Sequence, residues 1–312
     1  MYTWIASYPK SGNTWVRLLI SSLVSKNNSD VIDDRLQTKG QCCSRAIFQK
    51  FLNNNDPKLN DIDFTKFPSA KKIKEDDNLL FLFQRGEILK KYVADVNGQS
   101  SIMLKTHAAL NGSFLNQDQF PKGVTKRAIL IIRNPLDVLQ SAMVHYGRSA
   151  DDQLEHMLNV SSGTAGDFER TKNFATLQSS WEQFNFSWLG KESENFPLLV
   201  LRYEDLLFTP ITCVTAINSF LGLGAKENDI VDAIISNRFE NLQKLEKTSG
   251  FTEKSQHAEK FFNKGKVGSY KHLPDNILRK AVETLGVSAQ KFGYVFDEKF
   301  NLEIKPMKKL TW

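Results

Sequence analysis

Cysteine is scarce in this chain: among 312 residues only Cys42, Cys43 and Cys213 occur. Cys42 and Cys43 are adjacent and cannot easily bridge each other, and no Cys-x-x-Cys spacing suggests zinc. Neither a disulfide framework nor a zinc module is expected, and a reducing compartment fits best. The 5 histidines are scattered, so no metal cluster and no metal requirement are expected. Long apolar runs are also missing. The longest, such as Ala128–Ile132 and Leu198–Leu201, are strand-sized and too short for a bilayer. The opening residues MYTWIASYPKSGNTW have neither the basic stretch nor the apolar core of a secretion signal. These absences predict a cytoplasmic protein without a transmembrane segment, with loose attachment to a membrane surface left open. The net charge of +6 is modest and is spread along the chain. No basic block resembles a nucleic-acid arm, so no nucleic acid is expected as a partner.

Apolar residues make up 41% and charged residues 24% of the chain, as in ordinary globular proteins. The length suits one large domain or two small ones. Thr3–Ser7 reads as a short strand ending in a turn at Tyr8–Gly12. Trp15, Leu18, Leu19, Ser22 and Leu23 then recur at helical spacing between Thr14 and Val24. Residues 53–78 read as a loop with short helical pieces, and Leu79–Val96 as a helix. Ser101–Thr106 and the β-branched run Arg127–Ile132 read as strands; the latter is of the fully buried type found in parallel sheets. Asn134 and Pro135 carry the signature of a helix start, with Asn134 as N-cap and Asp137 in the first turn. Gly147–Gly166 is polar and lacks periodicity, which predicts a loop. Asp167–Leu189 reads as one long helix with Phe174, Leu177, Trp181, Phe184 and Trp188 along a core-facing stripe. Pro197–Tyr203 reads as a strand, Pro210–Leu221 and Asp229–Ile235 as helices, Lys247–Ser269 as a polar segment, and Leu278–Leu285 and Ala289–Phe292 as helices. No internal repeat or interdomain linker is visible. The alternation predicts an α/β fold: a single domain over residues 1–312 with a central parallel sheet flanked by helices.

The first turn is an anion site by its construction. Strand, Tyr8-Pro9-Lys10-Ser11-Gly12-Asn13-Thr14-Trp15, then helix places backbone N–H groups and the positive end of a helix dipole together. Gly12 allows close backbone approach, Ser11, Asn13 and Thr14 add side-chain donors, and Lys10 adds a charge. The order Gly-x-x-x-x-Gly-Lys-Ser/Thr of the ordinary P-loop is absent. A plain strand-to-helix turn with a surface Lys is the alternative. Arg133 stands at the carboxyl edge of its strand, where α/β proteins bind ligands. Ser141 lies about one and a half turns beyond Pro135 on the following helix. The two residues can reach one anion; equally, Arg133 can face a neighbouring carboxylate and Ser141 can be a small packing residue. In Met103-Leu104-Lys105-Thr106-His107, alternation puts Lys105 and His107 on one face of a strand end. That makes His107 a plausible base, although a strand-end His is most often a hydrogen-bonded structural residue.

The octapeptide Tyr8–Trp15 resembles the 5′-phosphosulfate loop of the sulfotransferases that use 3′-phosphoadenosine 5′-phosphosulfate (PAPS), whose common form has Thr where Asn13 stands. The resemblance implies a P-loop-like site in which Lys10 bonds the oxygen bridging phosphate and sulfate, Thr14 binds the 5′-phosphate and Trp15 lies near adenine, with Ser11, Gly12 and Asn13 completing the cofactor-binding loop. Arg133 with Ser141 eight positions later resembles the family's 3′-phosphate motif. Asn263-Lys264-Gly265-Lys266-Val267-Gly268-Ser269-Tyr270-Lys271 resembles its third nucleotide segment, with Lys264 and Gly265 matching and Asn263 in place of an Arg. Tyr203 matches a strand-end Tyr that reaches the nucleotide, and Phe239 is the candidate for a second aromatic beside adenine. Lys105-Thr106-His107 resembles the family's catalytic Lys-Thr-His, with Ala108-Ala109 replacing the usual Leu-Pro.

The implied activity is transfer of a sulfuryl group from PAPS to a hydroxyl or amine, releasing adenosine 3′,5′-bisphosphate (PAP) without a metal. His107 would act as general base, with Lys10 and Lys105 as the other catalytic groups. Residues 28–100 and 147–166 are then expected to be variable insertions on the acceptor side, the second a candidate lid. His145 and Tyr146 hint at an apolar or aromatic acceptor, within a range spanning small molecules, glycans and lipids. A nucleoside kinase of P-loop type, or a nucleotide-binding protein without catalysis, are the competing readings. Either a monomer or a homodimer is compatible with the sequence.

Overall fold

The computed structural model describes residues 2–24, 102–110, 120, 125–164, 176–190, 195–251, 253–263 and 265–307. The expected helix Leu79–Val96, the insertion at 28–100, Lys264 and the pair Cys42–Cys43 lie outside the described residues. The central parallel sheet has four strands in the order β2-β1-β3-β6, formed by β1 (Tyr2–Ser7), β2 (Ile102–Thr106), β3 (Thr125–Ile132) and β6 (Leu198–Arg202). Helices flank it, as the alternation of elements predicts. β1 and β2 pair in parallel, with Ile5 opposite Lys105 and Ala6 opposite Thr106. Among the described residues no helix is long and apolar enough to cross a membrane.

Two compact units divide the chain, and their boundary falls within β1, β3 and β6. The first unit takes residues 1–6, 38–130 and 160–198. Its described part holds β2, the two-residue strands β4 (Gly163–Thr164) and β5 (Thr176–Leu177), and helix α4 (Trp181–Leu189). Its aromatic core is built around Phe120, whose ring meets the edge of Trp4 at 4.9 Å and of Trp188 at 5.1 Å between centroids. Such edge-to-face pairs add to the area that large rings bury. The indole N–H of Trp4 is satisfied by Thr125 Oγ1 at 2.8 Å.

The long helix expected over Asp167–Leu189 is not continuous in its described part, residues 176–189, and Phe174 lies outside the described residues. β4 and β5 pair antiparallel, and the backbone N–H groups of Gln178 and Ser179 both donate to Ser162 O. Ser179 adopts a left-handed φ of 65°, and Ser180 then caps α4 by accepting from Gln183 N. An N-cap serine after a left-handed residue fixes a helix start at this point. Of the expected stripe, Trp181, Phe184 and Trp188 are fully buried on α4, whereas Leu177 belongs to β5.

The second unit takes residues 7–37, 131–159 and 199–312. It holds α1 (Asn13–Val24), α2 (Pro135–Tyr146), α3 (Ala150–Leu158), α5 (Tyr203–Phe208), α6 (Pro210–Leu221), α7 (Glu227–Ser236), α8 (Phe239–Ser249), a 3-10 turn at Ser269–His272, α9 (Asp275–Lys291) and the hairpin β7 (Tyr294–Phe296) with β8 (Leu302–Ile304). α2 starts as expected, with Asn134 Oδ1 accepting from Asp137 N and Pro135 at the first helical position. It ends at Gly147 in a left-handed C-cap.

The loop expected over Gly147–Gly166 instead contains α3. Ser149 caps it by accepting from Asp152 N, Asp151 and Asp152 stand in its first turn, and Leu154 and Met157 bury its apolar side. With so few apolar positions, nine residues of helix leave little periodic signal. The two short helices expected at the carboxyl end are one, α9. It buries Ile277, Leu278, Ala281, Leu285 and Ala289 and carries Gly286 in its interior, a substitution that costs about 1 kcal/mol relative to Ala.

Candidate functional site

Strand order places the site. β2 lies on one side of β1 and β3 on the other, so the chain reverses its direction of winding at β1. The carboxyl ends of β1 and β3 are where open α/β sheets leave a crevice for ligands. Both phosphate-type segments of the sequence occupy these ends. After β1 comes the loop Tyr8–Gly12, closed by Ser11 N donating to Tyr8 O and continued into α1 by Val16 N donating to Gly12 O. After β3 comes Arg133.

The loop is strained where its chemistry is concentrated. Lys10 holds φ at 66°, a left-handed conformation that costs a residue with a side chain roughly 1–3 kcal/mol and tends to occur at functional sites. Its ammonium lies 4.4 Å from the centroid of the Phe261 ring, a cation–π contact. Gly12, at φ 99°, packs so closely on Tyr203 that a Cβ there would lie 2.6 Å from Tyr203 Cδ2. Asn13, where a Thr is usual in the resembling loop, donates to Ser7 Oγ and accepts from Arg17 Nε, joining the strand end to the helix.

Arg133 joins the two segments. Its Nη1 donates to Lys10 O at 3.0 Å, and its guanidinium lies 4.2 Å from the centroid of the Tyr203 ring. Its Nε and the hydroxyl of Ser11 are both buried and find no hydrogen-bond partner among the described residues. A buried donor without a partner costs about 1–3 kcal/mol. Burial pushes the Tyr203 phenol above its ordinary value, with the Arg133 charge acting in the opposite direction. Tyr203 therefore stays neutral, and its ring packs against Arg133, Trp15 and Gly12. Ser141 lies on α2, half-buried.

An aromatic wall stands beside the loop. Trp15 and Phe239 pack against the cluster of Leu18, Leu242, Phe251 and Phe262. Trp15 is held by its N–H donating to Asn237 O at 2.9 Å and by the edge of Tyr203 at 5.7 Å. Gly265, at φ 55°, lies directly against the Phe239 ring. Asn263 is exposed, and its carbonyl accepts from Gln243 Nε2.

Sequence reasoning missed Arg17 and Glu253. Arg17 is buried one turn into α1, and its Nη2 meets Glu253 Oε1 at 2.6 Å. It also donates to Thr14 Oγ1, which in turn donates to Glu253 Oε2 at 2.7 Å. Arg17 stands five residues after Gly12, and only the fold shows that it faces a carboxylate 236 residues away.

Lys105 and His107 belong to the first unit. Lys105 is buried in β2, and His107, half-buried, is the residue that follows the strand. The turn after it is fixed from both sides. Ala108 N donates to Thr106 Oγ1, Trp188 Nε1 donates to Ala108 O at 3.0 Å, and Leu110 N donates to Ser187 Oγ at 2.8 Å. Helix α4 thus anchors the segment where Ala108-Ala109 replaces Leu-Pro.

Relatives match the chain over most of their length. The chain is 23% identical to cytosolic sulfotransferase 17 of Arabidopsis thaliana over 88% of its own length and 70% of the relative's. It is 26% identical to cytosolic sulfotransferase 6 of the same plant, over 86% and 72%. With the flavonol 3-sulfotransferase of Flaveria bidentis identity is 21%, over 88% and 78%. Among solved structures, a retinol dehydratase in complex with androsterone and PAP superposes with a TM-score of 0.56 at 18% identity, covering 92% of this chain and 80% of that one. A mouse sulfotransferase complexed with PAP gives 0.52 at 17%, covering 92% and 84%. The family model described as Sulfotransferase domain matches residues 2–293, from the first residue of β1 to the glycine before β7, and the chain belongs to that family.

Proposed function

We propose that the protein transfers a sulfuryl group from PAPS to a hydroxyl or amine of a small-molecule acceptor, with His107 as general base. The observation that carries this reading is the pair of buried, unpartnered donors at two strand ends, Ser11 Oγ and Arg133 Nε, joined through the Arg133–Lys10 hydrogen bond. Two anion subsites fit a nucleotide phosphorylated at both ends. The residues present therefore suit the co-substrate: the loop Lys10–Thr14 for the 5′-phosphate, Arg133 and Ser141 for the 3′-phosphate, and Trp15, Tyr203 and Phe239 for the base, with Gly265 and Lys264 on the third segment. PAPS supplies the sulfuryl group, and PAP is what remains.

The chain's own groups have separable tasks. Lys10, lifted from its place over Phe261, neutralises charge on the leaving oxygen. Lys105 orients the sulfuryl oxygens, in keeping with the value of fixed charges aimed at developing ones. His107 takes the acceptor's proton; an imidazole has an ordinary pKa near ~6.5, suited to base work at neutral pH. Small hydroxylated acceptors are favoured because androsterone and retinol accompany PAP in two of the similar structures. The names of the cytosolic relatives support a cytoplasmic location as part of this reading.

The test has two arms. Thermal shifts should be larger with PAP than with AMP or with ATP and magnesium; a larger shift with ATP would replace this reading with a phosphotransferase. In the second arm, transfer of labelled sulfate from PAPS is followed over a panel of phenols and alcohols. His107→Ala should lower turnover by about 10²–10⁴-fold with PAP affinity retained. Near-full turnover in that variant would remove His107 from the mechanism.

A further inference from the structure

Four buried side chains behind the Arg133 strand end form a chain of hydrogen bonds for which the reading above has no use. Tyr294 O–H donates to Glu204 Oε2 at 2.7 Å. Glu204 Oε1 accepts from both the backbone N and the side-chain Nδ2 of Asn134, at 3.1 and 2.7 Å. Asn134 Nδ2 also donates to Asp137 Oδ2 at 2.9 Å. Asp137 in turn accepts two backbone N–H groups from a distant segment, Gly268 N at 2.9 Å on Oδ2 and Tyr270 N at 3.3 Å on Oδ1. Asn134, Asp137 and Glu204 are each fully buried.

The arrangement has one workable orientation. Both N–H bonds of the Asn134 amide are spent on two carboxylates and its oxygen on Asp137 N, so a flipped amide would set its carbonyl against both acids. Asn134 is thereby fixed, and with it Arg133, its direct neighbour. Asp137 fixes the other partner. By holding Gly268 N and Tyr270 N it clamps a turn whose Gly265 and Gly268 take left-handed φ values of 55° and 83° and whose Gly265 lies against the Phe239 ring. Arg133 and the Gly265–Gly268 turn therefore share a single internal ruler.

We propose that Asp137 is a positioning residue for the 3′-phosphate: it sets the Gly265–Tyr270 turn in register with Arg133 and so confers preference for a nucleotide phosphorylated at the 3′ position over one that is not. The proposal rests on the reading of the site as a PAPS site. Asp137 touches no ligand and acts through the turn and through Asn134.

Asp137→Asn replaces one acceptor oxygen by a donor with almost no change of volume, and so sets an N–H against Gly268 N or Tyr270 N. PAP and AMP are titrated calorimetrically into both proteins. The parent should bind PAP more tightly than AMP. Asp137→Asn should lose PAP affinity tenfold or more with AMP affinity unchanged within twofold, so the ratio collapses. A ratio that is preserved, whether both affinities hold or both fall together, overturns the proposal and leaves Asp137 a structural residue. No preference for PAP in the parent would instead overturn the PAPS reading, and this proposal with it. Amide hydrogen exchange on the parent protein tests the same point without a variant. PAP should slow exchange across residues 265–270 more than AMP does, and equal protection by the two ligands would sink the idea.

Discussion

A methyl group at position 12 would lie 2.6 Å from Cδ2 of Tyr203, on a backbone whose φ of 99° L residues rarely adopt. Tyr203 cannot retreat freely, because the Arg133 guanidinium lies on its ring and Trp15 meets its edge. Gly12→Ala should therefore disturb the loop and the Arg133 side together. PAP affinity is expected to fall at least tenfold in calorimetry, and an unchanged affinity would show that the loop does not hold the nucleotide. Gly265→Ala acts at the other side of the site. Its methyl would strike the Phe239 ring, and Phe239 packs in the same cluster as Trp15. The expected result is weaker binding of every adenine nucleotide, PAP and AMP alike. That uniform loss separates it from Asp137→Asn, which is expected to act on PAP alone.

At the scale of elements, what the sequence made legible were the pieces with strong local signals. Asn134, Pro135 and Asp137 announce α2, and β-branched residues announce β3. The loop Tyr8–Trp15 carries its chemistry in consecutive residues. Elements defined by partners far along the chain were not legible. α4 starts at Trp181 because Ser162 holds Gln178 and Ser179, a fact absent from the periodicity of 167–189. α3 has few apolar positions to reveal it. The same holds for the site: Lys10 and Arg133 were readable, whereas the Arg17–Glu253 pair joins residues 236 positions apart. That pair predicts a measurable cost. The Arg17 side chain is 1% and the Glu253 side chain 11% exposed, and removing one partner of a buried pair typically costs about 3–5 kcal/mol because the other charge stays uncompensated. Arg17→Ala should lower stability by that order in urea denaturation. A loss below about 1 kcal/mol, the range of solvent-exposed pairs, would show that Glu253 reaches water once Arg17 is gone.

At the scale of the molecule, Glu204 ties together distant parts of the second unit. It stands at the start of α5 and holds Asn134 before α2 and Tyr294 in β7. Burial pushes its carboxyl above the ordinary 4.5, although the hydrogen bonds from Tyr294 and Asn134 and the charge of Arg133 act the other way. The sign of the consequence follows from proton counting. Between 4.5 and the raised folded value the native state holds a proton that the unfolded state has released, so stability falls as pH rises through that interval. The contribution is fully present below 4.5 and is lost as pH passes the folded value. Glu204→Gln keeps an oxygen for Asn134 and cannot ionise, and its amide can donate to the Tyr294 oxygen, whose own proton burial and the neighbouring carboxylate hold well above the usual phenol range. Denaturation midpoints measured from pH 4 upward should therefore show a decline in the parent that is absent from Glu204→Gln, with the two proteins diverging above 4.5. Parallel curves would mean that Glu204 holds the same proton count folded and unfolded, and that its carboxyl is not raised in the native protein.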